Sequence, residues 1–307
     1  MKHPRSCLVI GASGQLGRSL AGLFREDYAV TETVRRQPAP HQKQLDLCDA
    51  AAMERFFERE TFDIILIAGA YTNVDRCEED LLRCREVNVG GPLEIARRLK
   101  LKQSGFIVYY STDHVFDGSA PLYGEDDPAH PLNVYSRSKV DGEAAVRETL
   151  PDRHLILRTS WLYGPDPLER NFPLRLVRRL QEGERVFVPE DQWGSPTFTE
   201  DLAQATRFLI EKGETGTFHV CGPDFVNRYG YASRIASLFD RRKENIVPTS
   251  TAALGQAARR PLRVRLDRRK LLSLKGPRIR SIEEGLCALK EWWQKSGVSE
   301  PSGRGGP

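Results

Sequence analysis

Long apolar segments are missing from this chain of 307 residues. The longest apolar run, Ile64–Ala70, is far shorter than the roughly 20 residues that a membrane-spanning helix needs. The first residues lead directly from Met1 into the apolar run Cys7–Ile10, without the apolar core of a signal peptide. We therefore expect a protein of the cytoplasm that has no membrane partner.

Cysteine and histidine are few, and neither is clustered. The six cysteines form no Cys-x-x-Cys pair, and Cys77 and Cys84 have no histidine nearby. The six histidines show no spacing that is typical of metal ligands. Reduced, mostly buried thiols and no metal site are therefore expected.

A strong excess of one charge is also lacking, since the net charge is only +4. Arginines nevertheless concentrate in two segments, Arg175–Arg179 and Arg259–Lys270. Aromatic residues do not alternate with them and neither segment forms a recognition motif, so nucleic acid is not an expected partner. Two interpretations stay open: a solvated surface, or a pocket in which arginines bind the oxygens of a diphosphate.

A glycine-rich turn near the start of the chain indicates a dinucleotide site. The strand Ser6–Ile10 leads into the turn Gly11–Gly17, and apolar residues follow at helical spacing. Glycines allow a tight turn and a close approach to a pyrophosphate, and the amides at the helix start bind it. The Gly-x-x-Gly-x-x-Gly spacing is typical of the extended branch of short-chain dehydrogenase/reductases. A purely structural turn is the alternative.

The end of the second predicted strand bears on the choice of cofactor. Arg35 and Arg36 follow the strand Tyr28–Val34, at the place where an acidic residue would accept a hydrogen bond from the ribose 2′-hydroxyl of NAD. Glu32 lies three residues earlier, inside the strand. Two arginines suit a 2′-phosphate, so NADPH is favoured. NADH stays open, and a solvent-exposed arginine pair is the alternative.

The order of strands and helices predicts an α/β fold. Strands and helices alternate through Ser160, as in a doubly wound parallel sheet of the Rossmann type. Leu45–Leu47 is predicted to be a short third strand whose Asp46 reaches an adenine, and one bent helix is predicted from about Arg76 to Lys102. Three regions are expected: an NADP-binding Rossmann domain at 1–160, a smaller C-terminal substrate lobe at 161–298 that interleaves with it, and a disordered tail at 299–307.

A candidate reaction site lies between a strand end and a helix start. The buried strand Phe106–Tyr110 ends at a pair of hydroxyls, Ser111 and Thr112, and a helix is predicted to begin near Tyr135. Tyr135 and Lys139 are four residues apart, so both side chains on this helix face can reach one ligand. A hydroxyl from the strand end completes a site that can hold a carbonyl oxygen.

Taken together, these segments resemble the dTDP-4-dehydrorhamnose reductase family of extended short-chain dehydrogenase/reductases, from Gly11 to about Leu272. The matching segments are Gly11–Gly17, Ala70–Asp75, Ser111–Gly118, Pro131–Tyr135, Lys139–Glu143, Arg158–Trp161, Asp191–Thr197, Gly216–His219, Arg260-Pro261 and Leu266-Asp267. The chain departs from the family at His114, Ser136 and Val264, where the family usually has Tyr, Gly and often Ser. The Val264 change bears on the identity of the substrate more than on the chemistry.

The resemblance implies NADPH-dependent reduction of a 4-keto-6-deoxy sugar that is attached to a nucleotide diphosphate, in deoxysugar or cell-surface polysaccharide biosynthesis. Tyr135 would protonate the developing alkoxide. Lys139 would lower the pKa of the tyrosine and hold the nicotinamide ribose, and Thr112 would donate to the carbonyl oxygen. The resemblance leaves a homodimer open.

The expected site residues fall into three groups. The catalytic residues are Thr112, Tyr135 and Lys139. The cofactor-binding residues are Gly11, Ser13, Gly14, Gln15, Leu16, Gly17, Arg35, Arg36, Asp46, Leu47, Ala68, Gly69, Ala70, Tyr71, Tyr135 and Lys139. The substrate-binding residues are Thr112, Asp113, His114, Trp161, Trp193, Thr197 and Arg260, with an indole on the sugar and Arg260 on the diphosphate.

Two alternatives remain. One is a nucleotide-sugar epimerase or dehydratase: a dehydratase commonly has Glu where His114 stands, and an epimerase would hold NAD tightly, which the Arg35-Arg36 pair argues against. The other is a non-catalytic NADP-binding regulatory subunit that resembles the methionine adenosyltransferase beta subunit. The intact Thr112, Tyr135 and Lys139 favour an enzyme.

Overall fold

The structure is a computed structural model that describes residues 5–297. Its strands, in chain order, are β1 (Ser6–Ile10), β2 (Ala29–Val34), β3 (Gln42–Gln44), β4 (Ile64–Ile67), β5 (Phe106–Thr112), β6 (His154–Thr159), β7 (Leu162–Tyr163), β8 (Val186–Pro189), β9 (Trp193–Gly194), β10 (Thr197–Phe198), β11 (Gly216–His219), β12 (Val226–Asn227) and β13 (Ile246–Thr249). Its α-helices are α1 (Gln15–Phe24), α2 (Ala50–Arg59), α3 (Val74–Glu79), α4 (Leu81–Arg85), α5 (Gly91–Leu101), α6 (Val134–Thr149), α7 (Phe172–Gln181), α8 (Thr199–Lys212), α9 (Arg228–Leu238), α10 (Arg269–Ser273) and α11 (Ile282–Lys295).

Seven of the strands form one parallel sheet in the order β11-β6-β5-β4-β1-β2-β3. The chain winds from β1 outward to β3, crosses back to β4 and then winds in the other direction. The strand order therefore reverses between β1 and β4. Such a reversal leaves a crevice at the carboxyl ends of the strands, where ligands of open α/β sheets bind. The predicted doubly wound α/β fold is confirmed.

Both faces of the sheet are buried because its central strands are apolar at consecutive positions. In β4, Ile64 and Leu66 pack in one core cluster with α1 and α8, whereas Ile65 and Ile67 pack in another with α2, α5 and α6. Successive side chains of a strand point to opposite faces, so one short apolar run supplies both clusters.

The predicted third strand is wrong by three residues. The strand is Gln42–Gln44, and Leu45–Leu47 follows its end. A polar strand forms here because β3 is the edge of the sheet, where its side chains are partly exposed. The leucines point inward instead: Leu45 is buried, and Leu47 lies against Gly91 of α5. Asp46 is thereby placed at the carboxyl end of β3, beside the crevice.

The long helix predicted from Arg76 to Lys102 is three helices, α3, α4 and α5. Asp80 follows the end of α3, and its carboxylate caps the start of α4 by accepting a hydrogen bond from the Arg83 amide at 3.2 Å. A π-helical turn, Glu86–Gly90, then joins α4 to α5. The expected bend therefore lies at this turn, immediately before Gly91-Pro92.

The C-terminal half of the chain contributes to the main sheet as well as to a lobe of its own. Strand β11 pairs with β6, and α8 packs on α1. Helices α7, α9 and α11 surround a separate apolar cluster beside the parallel pair β8 and β13. A single cut at residue 160 therefore does not divide the structure, because the two halves interleave. The tail expected at 299–307 lies outside the described residues.

All six cysteines are free, and four of them are buried, as the sequence predicts. No helix within residues 5–297 is both long and apolar enough to cross a membrane.

Helix α1 offers a matched pair of glycines for testing the packing of the glycine-rich turn. A Cβ at Gly17 would lie 2.2 Å from the Gly11 carbonyl oxygen, whereas a Cβ at Gly22 would meet nothing within 4 Å. We expect Gly17→Ala to lower the free energy of unfolding by about 1–3 kcal/mol, as overpacking does. Gly22→Ala should raise it by about 0.5–1 kcal/mol, because alanine favours a helix. Urea denaturation measures both, and equal effects would contradict the packing role of Gly17.

Candidate active site

Two adjoining cavities open at the carboxyl edge of the sheet. The first cavity, of about 700 Å³, runs along the ends of β1, β2, β4 and β5. The second cavity, of about 660 Å³, lies between the sheet edge and the C-terminal lobe. Seven residues line both cavities: Thr72, Asn73, Val74, Asp113, His114, Trp161 and Arg170.

The glycine-rich turn forms one end of the first cavity. Gly11 has a φ of +83°, and a Cβ there would lie 2.6 Å from the backbone of Gly69, so only glycine fits where the turn crosses β4. The backbone of the turn is fixed by the Thr33 carbonyl, which accepts from the amides of Gly11 and Ala12 at 3.0 Å. Of the residues expected to bind a cofactor here, the ones that line the cavity are Gly11, Ser13, Gly14, Gln15 and Leu16. Gly17 does not line it and packs beneath the turn.

The end of β2 presents one arginine to the cavity rather than two. Arg35 lines the first cavity, whereas Arg36 is exposed outside it. Glu32 is buried and engaged: its carboxylate accepts from Arg25 and, at 2.7 Å, from Gln42. The only carboxylate of this strand is therefore occupied, and the charge that faces the cavity from β2 is positive.

The remaining expected cofactor residues follow β3 and β4, and all of them line the first cavity: Asp46, Leu47, Ala68, Gly69, Ala70 and Tyr71. Sequence reasoning missed Asn88, in the π-helical turn, which positions this loop. The Asn88 side chain accepts from the Tyr71 amide at 2.9 Å and donates to the Tyr71 carbonyl at 3.1 Å. It also donates to the Ser138 hydroxyl at 2.9 Å. One buried amide thus ties the cofactor loop to the helix that carries Lys139.

The three expected catalytic residues meet at the wall of the first cavity. Thr112 is the last residue of β5, and Asn133 caps α6, accepting from the Ser136 amide at 2.8 Å, so that Tyr135 and Lys139 lie on its first turns. The Thr112 hydroxyl donates to Asp113 at 3.1 Å, and Thr112 lies near enough to the Tyr135 hydroxyl to act on its pKa. The strand end and the helix start therefore bring two hydroxyls and an amine to one surface.

Burial shifts the pKa of both ionisable members of this group. It raises the pKa of Tyr135, while Thr112 acts in the opposite direction. It lowers the pKa of Lys139 to about 7, against the favourable field of Glu143. The net shift of the tyrosine pKa is upward because removal from water favours the uncharged form, and the expected lowering by a charged Lys139 stays a prediction. Tyr135 consequently keeps its proton at neutral pH.

A buried carboxylate joins this site to the C-terminal half. The two oxygens of Asp113 accept from Thr112 and, at 2.6 Å, from the Ser160 hydroxyl. Ser160 in turn accepts from the Ser195 amide at 3.2 Å. Asp113 lines both cavities, but its two oxygens are already engaged with Thr112 and Ser160.

His114 stands at the junction of the two cavities. Its ring lies edge-on to the ring of Tyr135, with 6.2 Å between the centroids. Its Nδ1 is buried and has no hydrogen-bond partner among the described residues. Burial lowers the pKa of this imidazole, and Arg260 and Arg228 lower it further, whereas Asp113 raises it. A neutral imidazole therefore lies where the cavities meet, and its Nδ1 is buried.

Four arginines line the second cavity: Arg170, Arg175, Arg228 and Arg260. Arg260 donates to Asp75 and to the Ala258 carbonyl, each at 2.8 Å, and Arg170 is paired with Asp166. Arg228 has no carboxylate within 4 Å among residues 5–297. Its guanidinium lies 3.7 Å from the ring centroid of Trp161 and 4.7 Å from that of Phe172. Burial lowers its pKa to about 10, so it remains charged.

Sequence reasoning missed Arg228, since its only sign is a basic residue directly after the helix cap Asn227. The two expected substrate tryptophans, Trp161 and Trp193, have different surroundings. Trp161 has a φ of 43°, which bulky residues rarely adopt, and Gly194 makes room for its indole. Arg228 covers one face of this ring, so that face is closed to a sugar. Trp193 lines the second cavity and packs against Phe225.

Thr197 does not belong to the site, and the expectation for it is wrong. It lines neither cavity and is fully buried. Its hydroxyl donates to the Ser195 carbonyl at 3.0 Å and accepts from the Gly222 amide at 3.2 Å. The first hydrogen bond stabilises the loop before β10 and the second ties β10 to the segment after β11, so this side chain is used in holding the backbone.

A glycine-rich turn at the strand-order reversal, with Thr112, Tyr135 and Lys139 beside it, defines a Rossmann protein of the extended short-chain dehydrogenase/reductase class. The particular family follows from comparison with known proteins. The family model described as the RmlD substrate binding domain matches residues 5–293, so the chain belongs to this family.

Relatives and a solved structure agree with the family. The chain is 38% identical to a dTDP-4-keto-6-deoxy-D-glucose reductase of Streptomyces niveus, over 69% of this chain and 71% of the relative. It is 34% identical to a dTDP-4-dehydrorhamnose reductase of Streptomyces griseus, over 83% of each chain. The solved structure of dTDP-4-dehydrorhamnose reductase from Bacillus anthracis in complex with NADP is similar, with a TM-score of 0.85 and 32% identity, covering 94% of this chain and 99% of that one.

Proposed function

We propose that the chain is an NADPH-dependent reductase that converts the 4-keto group of a dTDP-linked 4-keto-6-deoxy sugar into a hydroxyl, in deoxysugar biosynthesis. The observation that carries the proposal is the meeting of Thr112, Tyr135 and Lys139 at the wall of the first cavity, beside the second. The names of the relatives, which reduce dTDP-linked keto sugars, supply the substrate class.

The first cavity fits a reduced nicotinamide dinucleotide. Gly11 and Gly14 leave their turn without side chains, so a pyrophosphate can approach the backbone amides. Arg35 faces the cavity and makes no ion pair among the described residues, which suits a 2′-phosphate. Arg170 donates to the Ser13 carbonyl at 2.8 Å and so brings a guanidinium from the C-terminal half to this turn. When bound, the cofactor supplies the hydride.

Tyr135 is the proposed proton donor. Its buried hydroxyl keeps its proton at neutral pH, and Thr112 lies beside it at the wall of the first cavity. A carbonyl oxygen beside the two hydroxyls accepts a hydrogen bond from Tyr135, which transfers its proton as the oxygen becomes an alkoxide. Thr112 donates to the same oxygen when its hydroxyl turns away from Asp113, its present acceptor. Lys139, when protonated, stabilises the tyrosinate that remains.

The second cavity is the proposed sugar-nucleotide site. Arg228 is charged, partly buried and without a carboxylate partner among residues 5–297, so its charge is best satisfied by an anionic ligand such as a diphosphate. Arg175 faces the same cavity, and Arg260 is a weaker candidate because Asp75 already pairs with it. His114 and Trp193, which line this cavity, are the proposed sugar contacts. The finer expectations of a homodimer, of no nucleic-acid partner and of a cytoplasmic location stay predictions from the sequence.

Turnover tests the proton donor and separates an enzyme from a regulatory subunit. Tyr135→Phe should lower kcat on the order of 10²–10⁴-fold, because the substituted ring has no proton to transfer. NADPH oxidation with a panel of nucleotide 4-keto sugars measures it. Affinity for NADPH should hardly change, and Tyr28→Phe, away from both cavities, serves as the control. Wild-type turnover in Tyr135→Phe would remove this tyrosine from the reaction, and no turnover in the wild type would favour the regulatory alternative.

The two arginines after β2 should differ in their effect on the cofactor. Arg35→Met should weaken NADPH roughly tenfold or more relative to NADH, since a charge-assisted contact contributes about 1.5–3 kcal/mol. Arg36→Met removes an equal charge outside the cavity and should leave the preference unchanged. Equilibrium binding of both cofactors measures the ratio. If the two variants behave alike, neither arginine contacts the 2′-phosphate.

Arg228 should control the affinity for the sugar nucleotide. Arg228→Met is expected to weaken dTDP binding and raise KM roughly tenfold or more, as loss of a charge-assisted phosphate contact does. Arg234→Met on the same helix removes an exposed arginine paired with Glu283 and is the matched control. Calorimetric titration with dTDP and with NADPH separates the sites. Unchanged dTDP affinity would exclude Arg228 from the diphosphate site.

A further inference from the structure

The side-chain amine of Lys139 is buried and has no polar partner within the part of the chain that the structure describes. Its side chain is 2% exposed, and within residues 5–297 it makes no hydrogen bond and no ion pair. The nearest group is an aromatic ring: Nζ lies 3.9 Å from the ring centroid of Tyr109, which comes from the neighbouring strand β5. A cation over the face of an aromatic ring is attracted by the negative potential of that face, and the attraction is largest where water is excluded.

We propose that Tyr109 is a positioning residue for Lys139: the face of its ring holds the side-chain amine at the wall of the first cavity and favours its protonated form. The proposal rests on the proposed function, because it assigns to Tyr109 the support of a lysine that acts in that reaction. Tyr109 lines neither cavity, so it acts through Lys139 rather than by touching a ligand.

The ring is fixed in this position from two sides. The Tyr109 hydroxyl donates to the Asn88 carbonyl at 2.8 Å, in the π-helical turn. Across the ring, Gly142 of α6 leaves the space that the hydroxyl occupies, since a Cβ there would lie 2.3 Å from it. Tyr109, which lies on β5, is therefore held by the π-helical turn and by the helix that carries Lys139.

The other charged and titratable groups around Lys139 do not replace the ring. Glu143 favours the charged lysine, but its two oxygens accept from Arg158 at 3.0 and 2.7 Å. Cys84 of α4 favours it when it is a thiolate. Tyr135 and Asp141 lie on α6 itself and contribute to the field around Tyr109. Because burial already lowers the pKa of Lys139 to about 7, a modest loss of support is enough to discharge it near neutral pH.

The Tyr109 ring stabilises the protonated lysine, so it raises the pKa, and its removal must lower the pKa. Tyr109→Leu should move the titration of Lys139 to lower pH by about one unit, as expected for a desolvated cation–π contact. Tyr109→Phe keeps the ring and removes only the hydroxyl, so its titration should stay near that of the wild type.

Nuclear magnetic resonance of ¹⁵N-labelled lysine side chains, with the Lys139 signal assigned from Lys139→Arg, measures this titration without any substrate. The alkaline limb of the kcat/KM profile should shift by the same amount, whereas a purely structural role would lower activity at every pH alike. The matched control is Tyr163→Leu. Tyr163 is equally buried beneath a helical glycine, Gly285, but packs in the C-terminal cluster. Tyr163→Leu should leave the pKa of Lys139 unchanged.

A volume-preserving series covers the case in which Tyr109→Leu does not fold. Phenylalanine analogues with increasing numbers of ring fluorines, placed at position 109, weaken the negative face of the ring while they keep its shape. The pKa of Lys139 should fall stepwise along the series. An unchanged pKa in folded Tyr109→Leu, or across the fluorinated series, would overturn the proposal. Absence of turnover in the wild type would instead overturn the proposed function, and the titration would still decide the role of Tyr109.

Discussion

The Asp113 carboxylate is the interaction on which both cavities depend. It is 3% exposed, and a carboxylate that is removed from water must have its oxygens hydrogen-bonded. Thr112 and Ser160 donate to it, and Ser160 accepts from the Ser195 amide. The end of β5, the end of β6 and the loop before β10 are therefore held in one arrangement. Because this carboxylate lines both cavities, the proposed reaction site and the proposed substrate site share a wall.

Burial affects the charge of a lysine and of an arginine differently, and the site uses one of each. Lysine loses charge readily when it is desolvated, and the pKa of Lys139 falls to about 7. Arginine has a much higher starting pKa, so Arg228 stays charged even though burial lowers its pKa to about 10. Lys139, whose charge depends on its surroundings, thus lies beside Tyr135. Arg228, which stays charged, lies where a diphosphate is proposed to bind. Aromatic rings lie against both cations.

Local sequence patterns gave reliable results where one short segment contains the whole signal. The apolar run of β4, the turn at Gly11 and the start of α6 behind Asn133 follow from spacing and residue type. Patterns failed where position in the sheet decides. Gln42–Gln44 is polar because it is an edge strand, and the leucines after it were mistaken for the strand. Arg35 and Arg36 are alike in the sequence, and only the direction of the chain after β2 separates them.

The chain's own residue order is enough to establish a doubly wound α/β fold, a dinucleotide turn and the grouping of Thr112, Tyr135 and Lys139, because each depends on contacts between near neighbours or on strand ends that must share one edge. The partners that give these residues their properties come from distant segments. Tyr109 reaches Lys139 across a strand and a helix, and Arg228 meets Trp161 from a different part of the C-terminal half. In the sequence Thr197 looks like a ligand-binding hydroxyl, but in the structure its oxygen already accepts a hydrogen bond from the Gly222 amide. Burial and pairing are properties of the packed molecule, and no local pattern contains them.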